Sequence, residues 1–367
     1  MIKNNKNKTV VIAMSGGVDS SVAAALLKEQ GYNLIGITMK TWGYDDIPEK
    51  DSGCCSLETI YSARNVAQNL GFDHYTLDFT EKFNEIVIDN FISEYLKGNT
   101  PNPCVLCNKS IKWGALLEKA GSLGADYIAT GHYAKVNHNE ASGRYFVSVA
   151  EDITKDQSYA LWRISQHALS KTIFPLGSYQ KTEIRKIAKE LGLKPAETPD
   201  SQEICFVPNN NYRELIELRN PGLNEKLSKG DVVYKENKIG YHKGYPYYTI
   251  GQRRGLNVSV GKRLYVSKID SENNVVFVDE EESLYNSEFI TKEINLMTVK
   301  SIEHPVKVKV KIRYNDVGHD AVIDQIDEQK ISVKFDAPQK AITPGQSAVF
   351  YSGEEVLGGG IIEVVSC

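Results

Sequence analysis

A glycine pair set between an apolar strand and an apolar helix constrains this chain more than any other feature. Val10-Val11-Ile12-Ala13-Met14 reads as a buried strand, and Val22-Ala23-Ala24-Ala25-Leu26-Leu27 as a helix ending near Gly31. Ser15-Gly16-Gly17-Val18-Asp19-Ser20 lies between them. In such a turn backbone N–H groups crowd around an anion, and the helix N-terminus adds its positive dipole end. Ser15, Ser20 and Ser21 add hydroxyl donors. No Gly-Lys-Ser/Thr follows, so this is not a Walker A loop. The plain alternative is a glycine-rich strand-to-helix turn with no ligand.

The first half continues to alternate. Strands are expected at 33–39, 72–78 and 125–130, and helices at 57–70, 81–96, 109–120 and 178–193. Such alternation predicts an α/β, Rossmann-like parallel sheet covered on both faces. Its ligand belongs at the carboxyl ends of the strands, near a switch in strand order. Gly16, Met39 and Gly131 all end or follow expected strands, so they converge on one crevice. The character changes after about residue 210. Residues 221–261 are rich in Gly, Tyr, Lys and Arg. From about 287 the chain reads as short strands, with Val306 to Tyr314 alternating apolar against basic, and Gly358-Gly359-Gly360 ahead of a last strand at 361–365. The expected domains are 1–210 (catalytic), 211–286 (a small central, RNA-contacting unit) and 287–367 (an antiparallel β-barrel).

A chain of 367 residues fits two or three such domains. With 43 basic and 47 acidic residues the net charge is −4, so any RNA contact must come from local basic patches. Candidates are Gln252-Arg253-Arg254, Lys262-Arg263 and Lys307-Lys309-Lys311. No apolar window of about 18 residues is present, so no membrane contact is expected. The polar start MIKNNKNK passes directly into the first strand, which predicts a cytoplasmic protein without a signal peptide.

Six cysteines in a chain of this size do not suggest a disulfide scaffold. Cys104 and Cys107 form a C-x-x-C in the Pro-rich stretch TPNPCVLCNKSIKW; Cys205 lies in DSQEICFV. Cys54 and Cys55 precede the second helix, and Cys367 ends the chain. Beside the expected helix start at Lys109 and near Lys112, the Cys107 thiol gains from the dipole, and its pKa can fall from about 8.5 toward ~7. A low-pKa thiolate on an exposed loop is a nucleophile; the alternative for any one cysteine is a buried, inert thiol.

These motifs together resemble the tRNA-specific 2-thiouridylases, ATP pyrophosphatases that place sulfur on C2 of the wobble uridine of tRNA. The loop resembles the SGGxDS pyrophosphate (PP) loop. The resemblance runs over nearly the whole chain, through MSGGVDSS (14–21), TPNPCVLCNKSIKW (100–113), DYIATGHYAKV (126–136), KDQSYALW (155–162), DSQEICFV (200–207), YTIGQRRGL (248–256) and VKIRYND (310–316). It implies that ATP is held by Ala13, Met14, Ser15, Gly16, Gly17, Val18, Asp19, Ser20, Met39 and Gly131, with Mg²⁺ near Asp19. It makes Cys107 the nucleophile and Cys205 the cysteine that takes up sulfur as a persulfide. The sulfur would come from an upstream relay protein or a cysteine desulfurase. It places Asn102, Pro103 and Cys104 against the target base, His132 and Gln346 beside the flipped uridine, and Lys155, Asp156, Gln157, Arg313 and Tyr314 against tRNA. Without the resemblance, Lys155-Asp156-Gln157 is a solvated turn, Arg313 the wet face of a barrel strand and His132 a capped core histidine.

One departure bears on the chemistry. The family's usual Asp is Cys104 here. Cys104, Cys107 and Cys205 then form a set that could ligate a [4Fe–4S] cluster, against a persulfide route through Cys107 and Cys205 alone. The resemblance implies adenylation of the uridine O2 by ATP, followed by displacement of AMP by sulfur at a base taken out of its stack. Two other readings remain open: an amidotransferase-type synthetase that adenylates a small molecule, and a nucleotide-binding RNA module without catalysis.

Overall fold

Val10, Val11 and Ile12 have no exposed surface, as an apolar run in the centre of a covered parallel sheet should. The computed structural model describes residues 5–42, 57–193, 204–207, 211–258 and 260–365; Cys54, Cys55 and Cys367 lie outside them. Along the first half run β1 (Thr9–Ala13), α1 (Val18–Glu29), β2 (Asn33–Lys40), α2 (Leu57–Leu70) and β3 (Asp73–Asp78). A long helix follows, α3, through Thr80–Phe83, Asn84–Ile88 and Asp89–Leu96, then a second, α4, through Pro103–Cys107, Asn108–Leu116 and Leu117–Ser122. The middle stretch of each is π-helical. Next come β4 (Tyr127–Ala129), the hairpin β5 (Lys135–Asn139) and β6 (Arg144–Ser148), α5 (Gln166–Ser170), β7 (Thr172–Ile173) and α6 (Lys181–Glu190).

The first sheet has the order β3-β2-β1-β4-β7, with every pair parallel. The order reverses beside β1, which opens a crevice at the carboxyl ends of β1 and β4. The loops after these two strands are 14–17 and 130–133.

Beyond α7 (Tyr212–Arg219) and α8 (Leu223–Leu227), a four-stranded sheet forms from β8 (Gly230–Tyr234), β9 (Asn237–His242), β10 (Tyr265–Asp270) and β11 (Val275–Asp279). The last six strands are β12 (Tyr285–Leu296), β13 (Val306–Lys311), β14 (His319–Gln325), β15 (Ile331–Lys340), β16 (Ser347–Ser352) and β17 (Glu355–Val365). They pair in the order β12-β15-β14-β13-β16-β17, and β12 pairs again with β17. The ring is a closed antiparallel barrel, which leaves no open edge within it. Its β17 also meets β6 of the first half, at Glu355 and Ser148.

Three expectations need correction. Arg313 and Tyr314 are not in the alternating strand: β13 stops at Lys311. Asp316 accepts from the backbone of Ile312 at 3.0 Å and donates its own N–H to the Arg313 carbonyl at 3.2 Å, which folds 312–316 into a turn. Gly358-Gly359-Gly360 does not precede the last strand but lies within it. A Cβ there would come 2.4 Å from the Asn295 carbonyl, 2.7 Å from the Trp162 ring and 2.6 Å from Thr291, so the glycines permit close packing rather than a turn. The helix carrying the C-x-x-C starts at Pro103, not Lys109. Asn102 caps it, and Pro103 occupies the first turn, where a missing N–H costs nothing.

Candidate nucleotide and thiol site

The glycine loop is shaped by what presses on it from behind. Gly16 has φ +77°, and a Cβ there would lie 2.2 Å from the carbonyl oxygen of Thr59 in α2. The Ser62 hydroxyl donates to the Gly16 carbonyl at 3.1 Å, so α2 braces the loop. Gly17 differs: its Cβ would meet nothing nearer than the Ser15 hydroxyl at 3.6 Å. The fold does not require glycine at 17, and the bare backbone there leaves room for a ligand to approach. Ser21 Oγ donates to the Gly17 carbonyl at 2.8 Å, and the Ser15 N–H donates to Ser20 Oγ at 3.2 Å. Ser15 itself is exposed. Ala13 ends β1, buried Met14 donates its N–H to the Ile37 carbonyl at 2.8 Å, and Val18 starts α1. Met39, near the end of β2, is half-buried against the core.

Residues 130–133 join this loop to the thiol-bearing helix. A Cβ on Gly131 would come within 2.8 Å of the Ser20 nitrogen and 2.9 Å of the Asp19 carbonyl carbon, so only glycine lets the β4 exit touch the start of α1. The Tyr133 hydroxyl donates to Asp19 Oδ1 at 2.7 Å. The Lys181 ammonium donates to both Asp19 oxygens, at 2.7 and 2.8 Å. Between these contacts His132 turns the other way. Its Nε2 lies 3.2 Å from the Lys112 ammonium on α4, and its Nδ1 lies 2.6 Å from the Thr130 hydroxyl. Burial, with Lys112 beside it, holds the ring's pKa well below its ordinary value. The neutral ring therefore accepts from Lys112 at Nε2 and donates from Nδ1 to Thr130.

Lys112 also acts on Cys104. The Cys104 side chain is exposed, yet the protein around it raises its pKa, against the opposing pull of Lys112. The Tyr314 ring is a neighbour of this thiol: it lies 6.2 Å from the Tyr159 ring, and its own ionisation is pushed up by burial, Asp156 and Cys104. Cys107, three residues on, is half-buried and faces a different cluster, with Ile204, Phe206 and Val207. That cluster includes the neighbours of Cys205 as well as Cys107, with the Phe206 ring packed on Phe83 and Phe91 at 5.6 and 5.3 Å. Cys205 is exposed in the turn that Ile204 and Val207 close by a 3.0 Å hydrogen bond.

The barrel holds the loop that leads into this helix. Gln346 donates to the carbonyls of Thr100 and Pro101 at 2.9 and 3.2 Å, and the Thr100 N–H donates to Pro344 at 2.9 Å. Asn102 accepts from the Val105 N–H at 3.4 Å, and Pro103 is buried. Other expected tRNA contacts are engaged within the fold. Asp156 accepts from the Ala150 and Ser158 N–H groups at 3.0 and 3.3 Å, and Gln157 accepts from the Tyr133 N–H at 2.9 Å. Arg313 donates to the carbonyls of Lys340 and Ala341. Lys155 stands half-buried in the same turn as Asp156.

Neither expected metal site fits the residues present. Among the described residues no group of three or more His, Cys, Asp or Glu side chains is placed to hold a metal ion. Cys104 and Cys107 face different surroundings, so the three thiols are not gathered as cluster ligands. Asp19 already faces an ammonium through both oxygens, which competes with a dication for the same lone pairs. The earlier helix start also changes the dipole argument made for Cys107. With the helix beginning at Pro103, Cys104 holds the dipole-favoured first turn and Cys107 lies beyond it. At Cys104 burial outweighs the pull of Lys112. Sequence reasoning missed Tyr133 and Lys181, whose partners are remote in the chain, and set Lys112 beside Cys107 where the structure has it act on Cys104 and His132. The Asn-Pro pair at 102–103 was a readable helix start.

Three family models together match most of the chain. They are the tRNA methyl transferase HUP domain (residues 8–209), the tRNA methyl transferase PRC-barrel domain (223–280) and the aminomethyltransferase beta-barrel domain (286–362). A protein of Clostridioides difficile (strain 630) named tRNA-specific 2-thiouridylase MnmA is 48% identical over 358 residues, 97% of this chain and 98% of its own. One of Salinibacter ruber with the same name is 49% identical over 366 residues, 98% and 96% of the two chains. A solved 4-thiouridine synthetase–RNA complex with bound ATP covers 59% of this chain and 51% of its own at 17% identity, with a TM-score of 0.35, too loose a likeness to carry an argument.

Proposed function

The chain belongs to the tRNA-specific 2-thiouridylase family, whose members are sulfurtransferases, and from that premise we propose that it makes 2-thiouridine at position 34 of tRNA in two chemical steps. First, the uridine O2 attacks the α-phosphorus of ATP and pyrophosphate leaves, so the base becomes an O2-adenylate. Second, the terminal sulfur of a Cys205 persulfide attacks C2 and AMP leaves with the C2–O2 electron pair. Cys107 then attacks the Cys205 sulfur, a Cys107–Cys205 disulfide forms, and the sulfur stays on the base. A thiol reductant returns the disulfide to two thiols before the next turnover. No step runs through a cluster. Magnesium would arrive with the phosphates of the nucleotide rather than on a ligand set of the protein's own.

The observation that carries this reading is the path 130–133. One short segment touches the PP-loop through Gly131 and Tyr133 and the thiol-bearing helix through His132. A site that must activate a base with ATP and then deliver sulfur to it needs these two elements close together. Neutral His132, held by Thr130, keeps the Lys112 ammonium beside Cys104, where the base would lie. Ala13, Met14, Ser15, Gly16, Gly17, Val18, Asp19 and Ser20 would hold the phosphates; Met39 would line the adenine side. The three-domain division at about 210 and 286 fits this use, with the barrel supplying Gln346 to the loop ahead of Cys104. A small-molecule synthetase has no use for that barrel contact, and a binding module has no use for paired thiols at Cys107 and Cys205.

The test is release of pyrophosphate from ATP with and without tRNA, followed by mass spectrometry of the tRNA nucleosides. Pyrophosphate release that depends on tRNA, with 2-thiouridine formed when persulfide sulfur is supplied, supports the reading. Release that ignores tRNA contradicts it.

A further inference from the structure

Lys112 is held by a partner that leaves its charge intact. Its ammonium lies 3.2 Å from His132 Nε2. An ammonium only donates, so Nε2 offers its lone pair and the ring proton sits on Nδ1, 2.6 Å from the Thr130 hydroxyl. A carboxylate in that place would offset the positive charge, as Asp19 does for Lys181 at 2.7 Å; a neutral imidazole does not. The ring is fixed where it stands. Trp113 and Phe174 pack on it with ring centroids 5.6 and 6.0 Å away. Trp113 is itself anchored, its indole N–H donating to the Thr172 hydroxyl at 2.7 Å. Trp113 and Phe174 already share one apolar core, so the fold does not need a polar ring between them. Burying that ring carries a desolvation cost, and what it obtains is a lysine held in one place with its charge exposed to whatever lies alongside.

That neighbour is on the same helix. Cys104, Asn108 and Lys112 follow at intervals of four along α4, the spacing that sets residues on one face. Side chains of a helix lean toward its N-terminus, so Lys112 leans toward the end that carries Cys104. The Cys104 thiol is exposed and feels the positive charge of Lys112. An ammonium has three N–H donors. His132 takes one, and a molecule lying against Cys104 can take another.

We propose that Lys112 is a catalytic residue of the sulfur-transfer step, stabilising the negative charge that collects on N3 and O4 of the base when sulfur adds to C2, with His132 as its positioning residue. This rests on the two-step reading above, which sets the base against Cys104. In the O2-adenylate the N3 proton has gone to water and C2 is doubly bonded to N3. As the persulfide sulfur bonds to C2, the electron pair of that double bond moves onto N3 and is shared with O4 through C4. The pair returns to re-form the C2–N3 double bond as AMP leaves with the C2–O2 electrons. Lys112 meets the charge while it exists, and no proton leaves the ammonium. Adenylation makes no such demand. There electron density leaves the base for phosphorus, and a cation beside the base gives no help.

The experiment loads Cys205 of the full chain with persulfide, adds tRNA, ATP and MgCl₂, and follows pyrophosphate and AMP separately through one turnover. Lys112→Gln can still donate to His132 but carries no charge. It is expected to release pyrophosphate within about threefold of the wild-type rate while AMP and 2-thiouridine form about 10²–10³-fold more slowly, the scale of losing one preorganised charge-stabilising donor. Adenylated tRNA should therefore accumulate, and Lys112→Arg should recover part of the AMP rate. His132→Leu, which takes away the acceptor, should show the same split between the two products, and His132→Gln, which keeps one, should show less of it. A folded Lys112→Gln that forms AMP at the wild-type rate, or that slows both products alike, overturns the assignment; Lys112→Met is judged by the same two rates should the glutamine variant not fold. If wild type itself releases no pyrophosphate, the adenylation reading fails; if wild type and Lys112→Gln run alike through both steps, this inference alone fails.

Discussion

The Tyr133 hydroxyl donates to the Asp19 carboxylate at 2.7 Å across 114 residues of chain. The residue next to it, His132, meets Lys112 on the thiol-bearing helix. Consecutive side chains therefore reach the two halves of the proposed chemistry, and each can be disturbed alone.

Tyr133→Phe removes one hydrogen bond to Asp19 and leaves Lys181 in place. The KM for ATP should rise about fivefold, the ~1 kcal/mol net worth of one such bond, while tRNA affinity stays at its wild-type value. Steady-state kinetics with ATP varied, set beside a tRNA filter-binding titration, checks both halves.

Gly16 and Gly17 should behave oppositely when each becomes alanine. At Gly16, with φ +77°, the new methyl would meet the Thr59 carbonyl at 2.2 Å. Gly16→Ala should cost about 2–4 kcal/mol of stability, combining left-handed strain with overpacking, and lower Tm by several degrees. Gly17→Ala meets no such obstacle and should fold normally, yet bind ATP at least about tenfold more weakly because the methyl takes phosphate space. Thermal melts and ATP titrations separate the two; equal Tm losses would show that Gly17 serves the fold.

Legibility followed the range of each interaction. The PP-loop, the alternation through β4 and the barrel were readable because each rests on local pattern: apolar runs, a glycine pair, alternation of period two. The Ser15–Ser20 loop, the proposed nucleotide end of the site, was legible for the same reason. What escaped depends on contacts over long sequence distance. Lys181 reaches Asp19 across 162 residues, and Gln346 reaches Thr100 across 246; no local pattern marks either as a partner. The end of β13 was misjudged because the alternation of 306–314 was read without the Asn315-Asp316 turn that interrupts it. The triple glycine was misread because glycine serves close approach as well as turns, and only the neighbours, Asn295, Trp162 and Thr291, distinguish the two uses.

Acid should destabilise the fold through its buried imidazoles. Burial lowers the pKa of His132, His74 and His242 from the ordinary value of 6.5. Above that value these rings are neutral in both states. Below it the unfolded chain takes up protons that the folded chain refuses, so stability falls as pH falls. Each such ring adds a slope of up to about 1.4 kcal/mol per pH unit below 6.5. His132→Gln, which can still meet Lys112 and Thr130, should flatten the decline in Tm between pH 6.5 and 5. An unchanged slope would mean that His132 titrates alike in both states.

Cys104 separates the two sulfur routes. It faces Lys112 and Tyr314 rather than the cluster holding Cys107 and the Cys205 segment. Cys104→Ser should therefore keep multiple-turnover thiolation within about threefold of wild type, while Cys107→Ser and Cys205→Ser stop it, as loss of either partner in a persulfide–disulfide exchange must. Loss of all activity in Cys104→Ser together with bound iron in the wild-type protein would favour a cluster instead.

The most direct measurement loads Cys205 with a ³⁵S-labelled persulfide and mixes the iron-free protein with ATP and a tRNA transcript carrying uridine at position 34. One round of reaction is allowed, and nucleosides, AMP, pyrophosphate and protein-bound label are then counted. The account predicts that label moves to 2-thiouridine, with one AMP and one pyrophosphate formed per sulfur transferred and a Cys107–Cys205 disulfide left on the protein. Label that remains on the protein while AMP and pyrophosphate accumulate, or transfer that proceeds without ATP, would contradict it.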